Sequence, residues 1–351
     1  MTEPSSAHGE RSRDILPSAA EAHEVLGSAR TGLSTSLETS GGGETSLSSP
    51  SILIPFLLIT LIWSSTWIVI KDQLGAGADA VPPSWSVAYR FAFASAAMFA
   101  MARISGAPLR LGRNGHLLAL AIGIPQFVLN FNFVYAAEQY VTSGIVAVVF
   151  ALLVVPNAGF AKLFFGHELT RRFLIGSLVA MAGVVLLFVA EMRVSEARPG
   201  QVMLGIGFTL VAILSASAGN LLQLVDAVKK MPVATLLAWS MLYGTIANAG
   251  IAFALYGAPV VESRPGYWLG LLYLGLVASA LAFFFYYRIL RVIGPGKAAY
   301  SSVLVPIVAM LLSTVFEDYR WTALAAAGGL LAIAGLVVAL GARRPTPVII
   351  D

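Results

Sequence analysis

From Ser51 onward the chain alternates between long apolar runs and short stretches that gather its charges, prolines and glycines. The runs fall near residues 53–71, 85–102, 114–137, 142–162, 172–190, 201–223, 234–256, 267–287, 296–316 and 321–341. A helix crosses a bilayer with roughly 20 mainly apolar residues, so the pattern predicts ten transmembrane helices. Gly75 to Pro83, Arg193 to Gly200 and Gly257 to Gly266 are clear breaks, while Glu138–Thr142 and Glu317–Arg320 are tight enough to join antiparallel neighbours. Lipid admits only helices and closed barrels, and barrel strands alternate over about ten residues. Runs such as Leu178–Ala190 do not alternate. The predicted fold class is an all-α polytopic membrane protein.

A repeat organises these helices. Pro156 in Val154-Val155-Pro156 has a counterpart about 150 residues later, Pro306 in Leu304-Val305-Pro306. Each proline is followed by an apolar run, a glutamate near the helix end (Glu168, Glu317), and a Gly/Ala-rich helix holding Met-Ala-Gly up to Gly183 or Ile-Ala-Gly up to Gly335. The offset puts five helices in each half, and five is odd. The second half therefore enters the membrane from the opposite side, an inverted repeat of the kind that permits alternating access. The expected organisation is a disordered polar tail over 1–50, a first five-helix half over 51–192, a second over 201–342, and a cytoplasmic tail over 343–351.

Lys and Arg set the orientation. With the N-terminus inside, the inner loops hold Arg103, Arg110, Arg113, Lys162, Arg171, Arg172, Lys229, Lys230, Arg288, Arg291, Arg343 and Arg344. The outer loops hold Lys71, Arg193, Arg198, Arg264 and Arg320. Both termini are therefore expected to be cytoplasmic.

Composition narrows the function. Charged residues make up 11% of the chain and hydrophobic ones 58%, against roughly 25% charge in soluble domains. The net charge of +4 then reports loop topology, and a nucleic-acid partner is not expected. With no cysteine and only His8, His23, His116 and His167, neither a thiolate nor a histidine-rich metal centre is expected, and no cofactor. The first fifty residues, rich in Ser, Gly, Glu and Thr, cannot bury enough apolar area to order themselves, and they lack the basic start and apolar core of a signal peptide.

The chain resembles the drug/metabolite transporter superfamily, in particular its bacterial EamA-type members. The resemblance covers roughly residues 52–341. It is carried by Leu61-Ile62-Trp63-Ser64-Ser65-Thr66-Trp67 with Lys71, by Arg90-Phe91, and by the Pro156…Glu168 and Pro306…Glu317 blocks. Phe316 stands where the family often has Gly, and His167 precedes Glu168. The resemblance implies a central cavity between the halves, a small organic metabolite such as an amino acid as partner, often outward movement, and no ATP hydrolysis. It leaves a proton or counter-substrate open, and it implies a bacterial inner-membrane protein in contact with lipid, as a monomer or homodimer. The sequence agrees in having no Walker loop and no nucleotide-sized soluble domain.

Polar groups inside apolar helices tend to face a cavity or one another. In the first helix Trp63 and Trp67 share a face beside Ser64, Ser65 and Thr66, so aromatic walls and hydroxyls would suit an organic ligand. Asn130 and Tyr135 in the third helix, Ser217 and Asn220 in the sixth, and Tyr286 in the eighth are further pathway candidates. Arg90 and Lys297 are the cations within or near helices; either at least one neutralises a carboxylate of the substrate or the protein, or both reach the headgroups by snorkelling or serve helix packing. Pro156 and Pro306 each delete a helical hydrogen bond and are expected to kink equivalent helices. Acidic residues and histidines within the helices are too few for an intramembrane enzyme acting on lipid-linked groups. Liposome flux separates transport both from that enzyme and from a non-transporting scaffold or receptor.

Overall fold

A computed structural model describes residues 50–75, 80–166, 168–194, 199–298 and 301–341. The polar tail 1–49, His167, Glu196, Arg198, the segment 342–351 and the side chain of Lys297 lie outside the described residues.

The described regular elements are all helical. In chain order they are α1 (Pro50–Gln73), α2 (Pro83–Ile104), α3 (Arg113–Ala137), α4 (Ser143–Phe165) and α5 (Arg171–Val194). They continue with α6 (Pro199–Leu222), α7 (Val233–Tyr256), α8 (Pro265–Arg291), α9 (Ser301–Phe316) and α10 (Ala323–Gly341). Proline opens α2 and α8, where its missing N–H would have been unpaired in any case. Gly166 ends α4 at φ 70°, a left-handed conformation that glycine adopts without a Cβ penalty. Among the described residues eight helices are long and apolar enough to cross a membrane, and the apolar stretches Val305–Phe316 and Ala323–Ala339 are shorter. Large side chains such as Leu178, Met203, Phe253 and Leu330 stand exposed on the outside, as a lipid-facing exterior requires. The chain is a polytopic all-α membrane protein.

Close packing ties distant helices together reciprocally. On α5 and α10 an added methyl at Gly176 would lie 2.3 Å from the Ala339 nitrogen, and one at Gly335 would lie 2.2 Å from the Ala180 nitrogen. Gly183 and Gly328 meet the opposite backbone in the same way, so these glycines let two helices touch backbone to backbone. Two other crossings mirror each other. A Cβ at Gly275 on α8 would lie 2.9 Å from the Arg90 carbonyl oxygen on α2, and one at Gly123 on α3 would lie 2.5 Å from the Ser240 carbonyl oxygen on α7.

The same two helices, α3 and α8, are widened by π turns at Ile124–Leu129 and Tyr273–Leu281. Widened turns disturb the regular backbone ladder and often mark functional segments. Side chains from other helices meet carbonyls in both: Asn248 Nδ2 donates to Phe127 O at 2.9 Å, and Trp63 Nε1 donates to Ala278 O at 3.2 Å.

Candidate functional site: a polar-studded aromatic cavity

A cavity of about 120 Å3 lies among α1, α2, α3, α4, α6, α8 and α9. Its walls are mainly aromatic and aliphatic, with Trp63, Trp67, Phe131, Phe150, Phe283 and Tyr286 supplying the rings. Trp67 packs on Phe150 with centroids 5.4 Å apart, and Trp63 packs between Phe283 at 5.5 Å and Tyr286 at 4.9 Å. Tilted packing of this kind suits the quadrupoles of the rings.

Arg90 is the cation of the cavity and is only 2% exposed. Its Nε donates to Ser279 Oγ at 2.9 Å, on the π turn of α8, and its guanidinium lies 4.4 Å from the centre of the Phe131 ring. A buried cation needs partners; the ring face supplies part of that need. The Nη1 nitrogen has no hydrogen-bond partner. Three other polar atoms of cavity-lining residues are also unpartnered: Trp67 Nε1, Gln126 Oε1 and Asn130 Oδ1. Two are donors and two, in this amide assignment, are acceptors.

Most sequence-predicted pathway residues meet here. Trp63, Thr66, Trp67, Arg90, Asn130, Asn220, Tyr286 and Pro306 all line the cavity. Others do not. Ser64 turns back to the Thr60 carbonyl at 2.6 Å within its own helix, and Tyr135 is fully buried with its hydroxyl donating to Gln73 Oε1 at 2.7 Å. Ser217 is buried away from the lining, and Pro156 stands outside it, next to the tight turn Ala151–Leu153. The paired asparagines of α3 divide: Asn130 lines the cavity, while Asn132 donates to Asn248 Oδ1 at 2.5 Å and accepts from Ser84 at 2.7 Å. Gln126 was missing from the sequence candidates, although a polar residue after Pro125 in mid-span is itself a signal. Phe283 emerges from an aromatic run that no periodicity could divide.

A second polar cluster lies at the end where α1, α3 and α9 finish and α4 begins. Lys71 Nζ donates to the Glu138 backbone carbonyl and, at 3.4 Å, to that of Val141. Glu317 accepts from the Ser143 backbone N–H at 3.2 Å and from its hydroxyl at 2.5 Å. That pair links the end of α9 to the start of α4. Glu138, the first residue beyond α3, is fully buried, and neither carboxyl oxygen has a hydrogen-bond partner. Nearby, burial pushes the Tyr319 hydroxyl up to about 12, with Glu191 adding to the shift. At the same end Arg264 Nε donates to Glu262 at 2.5 Å, and this bond raises the Arg264 pKa. No group of three or more His, Asp or Glu among the described residues is placed to hold a metal ion.

Comparison with known proteins agrees with this architecture. The EamA-like transporter family matches twice, over residues 50–189 and 203–341. Protein PagO of Salmonella typhimurium is 23% identical over 295 residues, covering 83% of this chain and 91% of that one. A probable amino-acid metabolite efflux pump of the same organism is 26% identical over 291 residues, covering 80% and 92%. The uncharacterized inner membrane transporter YedA of Escherichia coli K12 is 27% identical over 300 residues, covering 80% and 88%. A solved structure described as "Crystal structure of protein" superposes with a TM-score of 0.61 at 20% identity, over 82% of this chain and 95% of the other, which shows a shared fold. With both halves of the membrane region matched, this chain belongs to the EamA-like transporter family of the drug/metabolite transporter superfamily, and it is a membrane transporter of small molecules.

Proposed function

We propose that the cavity binds an amino-acid-like metabolite and that the protein exports it from the bacterial cytoplasm by alternating access, without ATP. One observation carries this reading: the unpartnered donors Arg90 Nη1 and Trp67 Nε1 and the unpartnered acceptors Gln126 Oε1 and Asn130 Oδ1 belong to residues of one buried cavity. Unsatisfied buried polar groups are costly, and a zwitterion satisfies both kinds at once. Its carboxylate takes the donors, its ammonium the amide oxygens, and an apolar side chain lies along the rings. The name of the Salmonella efflux pump points the same way.

Ten spans in two inverted five-helix halves, 51–192 and 201–342, fit this mechanism. Support comes from the doubled family match and from the mirrored crossings. The π turns recur about 150 residues apart, as do Arg90 and Ser240, the residues those crossings meet. The Lys and Arg excess favours both termini in the cytoplasm; on that reading the Lys71–Glu317 end faces outward and is closed by the Ser143 contact. The relative from Escherichia coli suggests an inner-membrane location. Pro306 on the cavity wall and Pro156 on α4 supply bends for gating, and Lys297 is a second candidate cation. The protein works as a monomer or homodimer.

The test is thermal stabilisation of the purified full-length protein by L-phenylalanine and L-leucine against their amides. The acids are expected to raise the melting temperature and the amides to do so less. Equal stabilisation by acid and amide would remove the carboxylate from the proposal.

A further inference from the structure

Asn130 and Val134, one turn apart on α3, both line the cavity, and Glu138 is the next residue on that stripe. On α1, Ile70 lines the cavity and Lys71 follows it. The buried Glu138 carboxyl therefore sits at the closed end of the cavity, inside the Lys71–Glu317 cluster. The charges that act on it come from three neighbouring segments: Lys71 on α1, Arg90 on α2 and Glu317 just beyond α9. Tyr135, also buried, is the titratable neighbour on its own helix. Helix α6, which packs against this end through Gly205, carries no titratable side chain. Beyond Glu317 lie Glu191 and Tyr319.

We propose that Glu138 is a proton-binding site coupled to substrate binding: it shares the Arg90 charge with the substrate carboxylate and takes up a proton when that carboxylate occupies Arg90. The inference rests on the reading of the cavity given above. A fully buried carboxylate with no donor on either oxygen is costly, and what offsets the cost is the attraction of Lys71 and Arg90. Lys71 donates to the backbone carbonyls of Glu138 and Val141, which leaves Arg90 as the partner a ligand can engage. A substrate carboxylate on Nη1 neutralises that cation and brings a second negative charge toward Glu138. Burial already holds the Glu138 carboxyl well above its ordinary range, with Glu317 pushing the same way against Lys71 and Arg90. The added anion moves it further up. A proton carried in by hydronium or a buffer acid then forms an O–H bond with a lone pair of one Glu138 oxygen, and the donor departs as water or the buffer base. Linkage makes the effect reciprocal, so a proton on Glu138 strengthens substrate binding by the same factor; proton and substrate then leave together, and export runs down the outward substrate gradient rather than being driven by an inward proton gradient. The sign follows: the neutral carboxyl favours the loaded state at low pH, and that preference fades as pH rises through the raised pKa.

Two measurements on the full-length protein in nanodiscs test this. Infrared difference spectroscopy of the ligand-free protein during a pH titration is expected to show a protonated, weakly hydrogen-bonded carboxyl, titrating above the ordinary carboxylate range. It should be absent from Glu138→Gln and present in Glu317→Gln. Addition of L-phenylalanine in weak buffer, followed with a pH dye, is expected to draw up to about one proton per bound ligand, and the affinity should rise by up to roughly tenfold per pH unit of acidification. Glu138→Gln should abolish the uptake and flatten the pH dependence, while Glu138→Asp, which keeps the carboxyl, should restore both in part. A missing carboxyl band overturns the proton site whatever the ligand result. Binding of L-phenylalanine without proton uptake overturns the coupling. Failure of any amino acid to bind, with the band present, refutes the cavity reading and the coupling built on it but not the buried acid.

Discussion

Substituting Gly335 by Ala forces a methyl into the tightest helix contact described here. That methyl would lie 2.2 Å from the Ala180 nitrogen, 2.6 Å from the Gly176 oxygen and 2.7 Å from the Ala180 Cα. Backbone cannot swing aside as a side chain does, and heavy atoms settle at about 3.5 Å or more. Helices α5 and α10 must therefore part by on the order of 1 Å along this stretch. A gap of that size forfeits a quarter to a half of each contact's dispersion well, and overpacking of this kind costs about 1–3 kcal/mol. Gly329, on the same helix, has nothing within 4 Å of its added methyl, so Gly329→Ala is the matched control. Thermal unfolding of the purified variants in one detergent should show Gly335→Ala melting several degrees below the parent and Gly329→Ala melting with it. Gly183→Ala should resemble Gly335→Ala, since its methyl would meet the Ala332 nitrogen at 2.3 Å. If Gly335→Ala unfolds with Gly329→Ala, the backbone-to-backbone crossing is wrong.

Asn248→Ala removes the donor to the Phe127 carbonyl and the acceptor for Asn132, and unfolding assays should register a loss of about 2–4 kcal/mol, with Asn248→Gln recovering little in so tight a site. Trp67→Phe deletes an unpartnered indole N–H and keeps one aromatic ring on a side chain that borders the cavity, so its melting temperature should stay near the parent's while L-phenylalanine titration shows weaker affinity. Trp63→Phe also strands the Ala278 carbonyl and should lose stability as well. For topology, single cysteines replacing Ser105 and Gly200 in this cysteine-free chain should differ in intact cells. An impermeant thiol reagent should label the Gly200 position and spare Ser105, and labelling the other way round would reverse the orientation. Ser105 is preferable to the adjacent Gly106, whose φ of +70° would strain a cysteine.

The spans were legible because lipid makes one demand on every spanning residue, and a run of apolar side chains meets it visibly. Proline then marked boundaries at Pro83 and Pro265. Part of the cavity was legible for the complementary reason: Trp63, Arg90, Asn130 and Asn220 stand out against an apolar background. What stayed hidden depends on tertiary contact. Ser64 is as polar as Thr66, and only the packing around each decides that one is enclosed and the other faces the cavity. The π turns leave no periodic trace, since Tyr273–Leu281 reads as ordinary apolar helix. Glu138 looked like a loop charge because its segment is short and polar, and its burial comes from α1, α6 and the end of α9 closing over it.

The most direct test of the substrate site is initial flux of L-phenylalanine in proteoliposomes at several concentrations, normalised to folded protein, for the parent, Arg90→Lys and Arg90→Gln. Arg90 holds Ser279 through Nε and leaves Nη1 for the ligand, a two-sided geometry that a lysine ammonium cannot reproduce. Both variants are expected to lose at least about tenfold in flux at low substrate, the value of one charge-assisted hydrogen bond, with Arg90→Gln the worse. Near-parent rates in both would show that the cavity's one buried guanidinium does not touch the transported molecule.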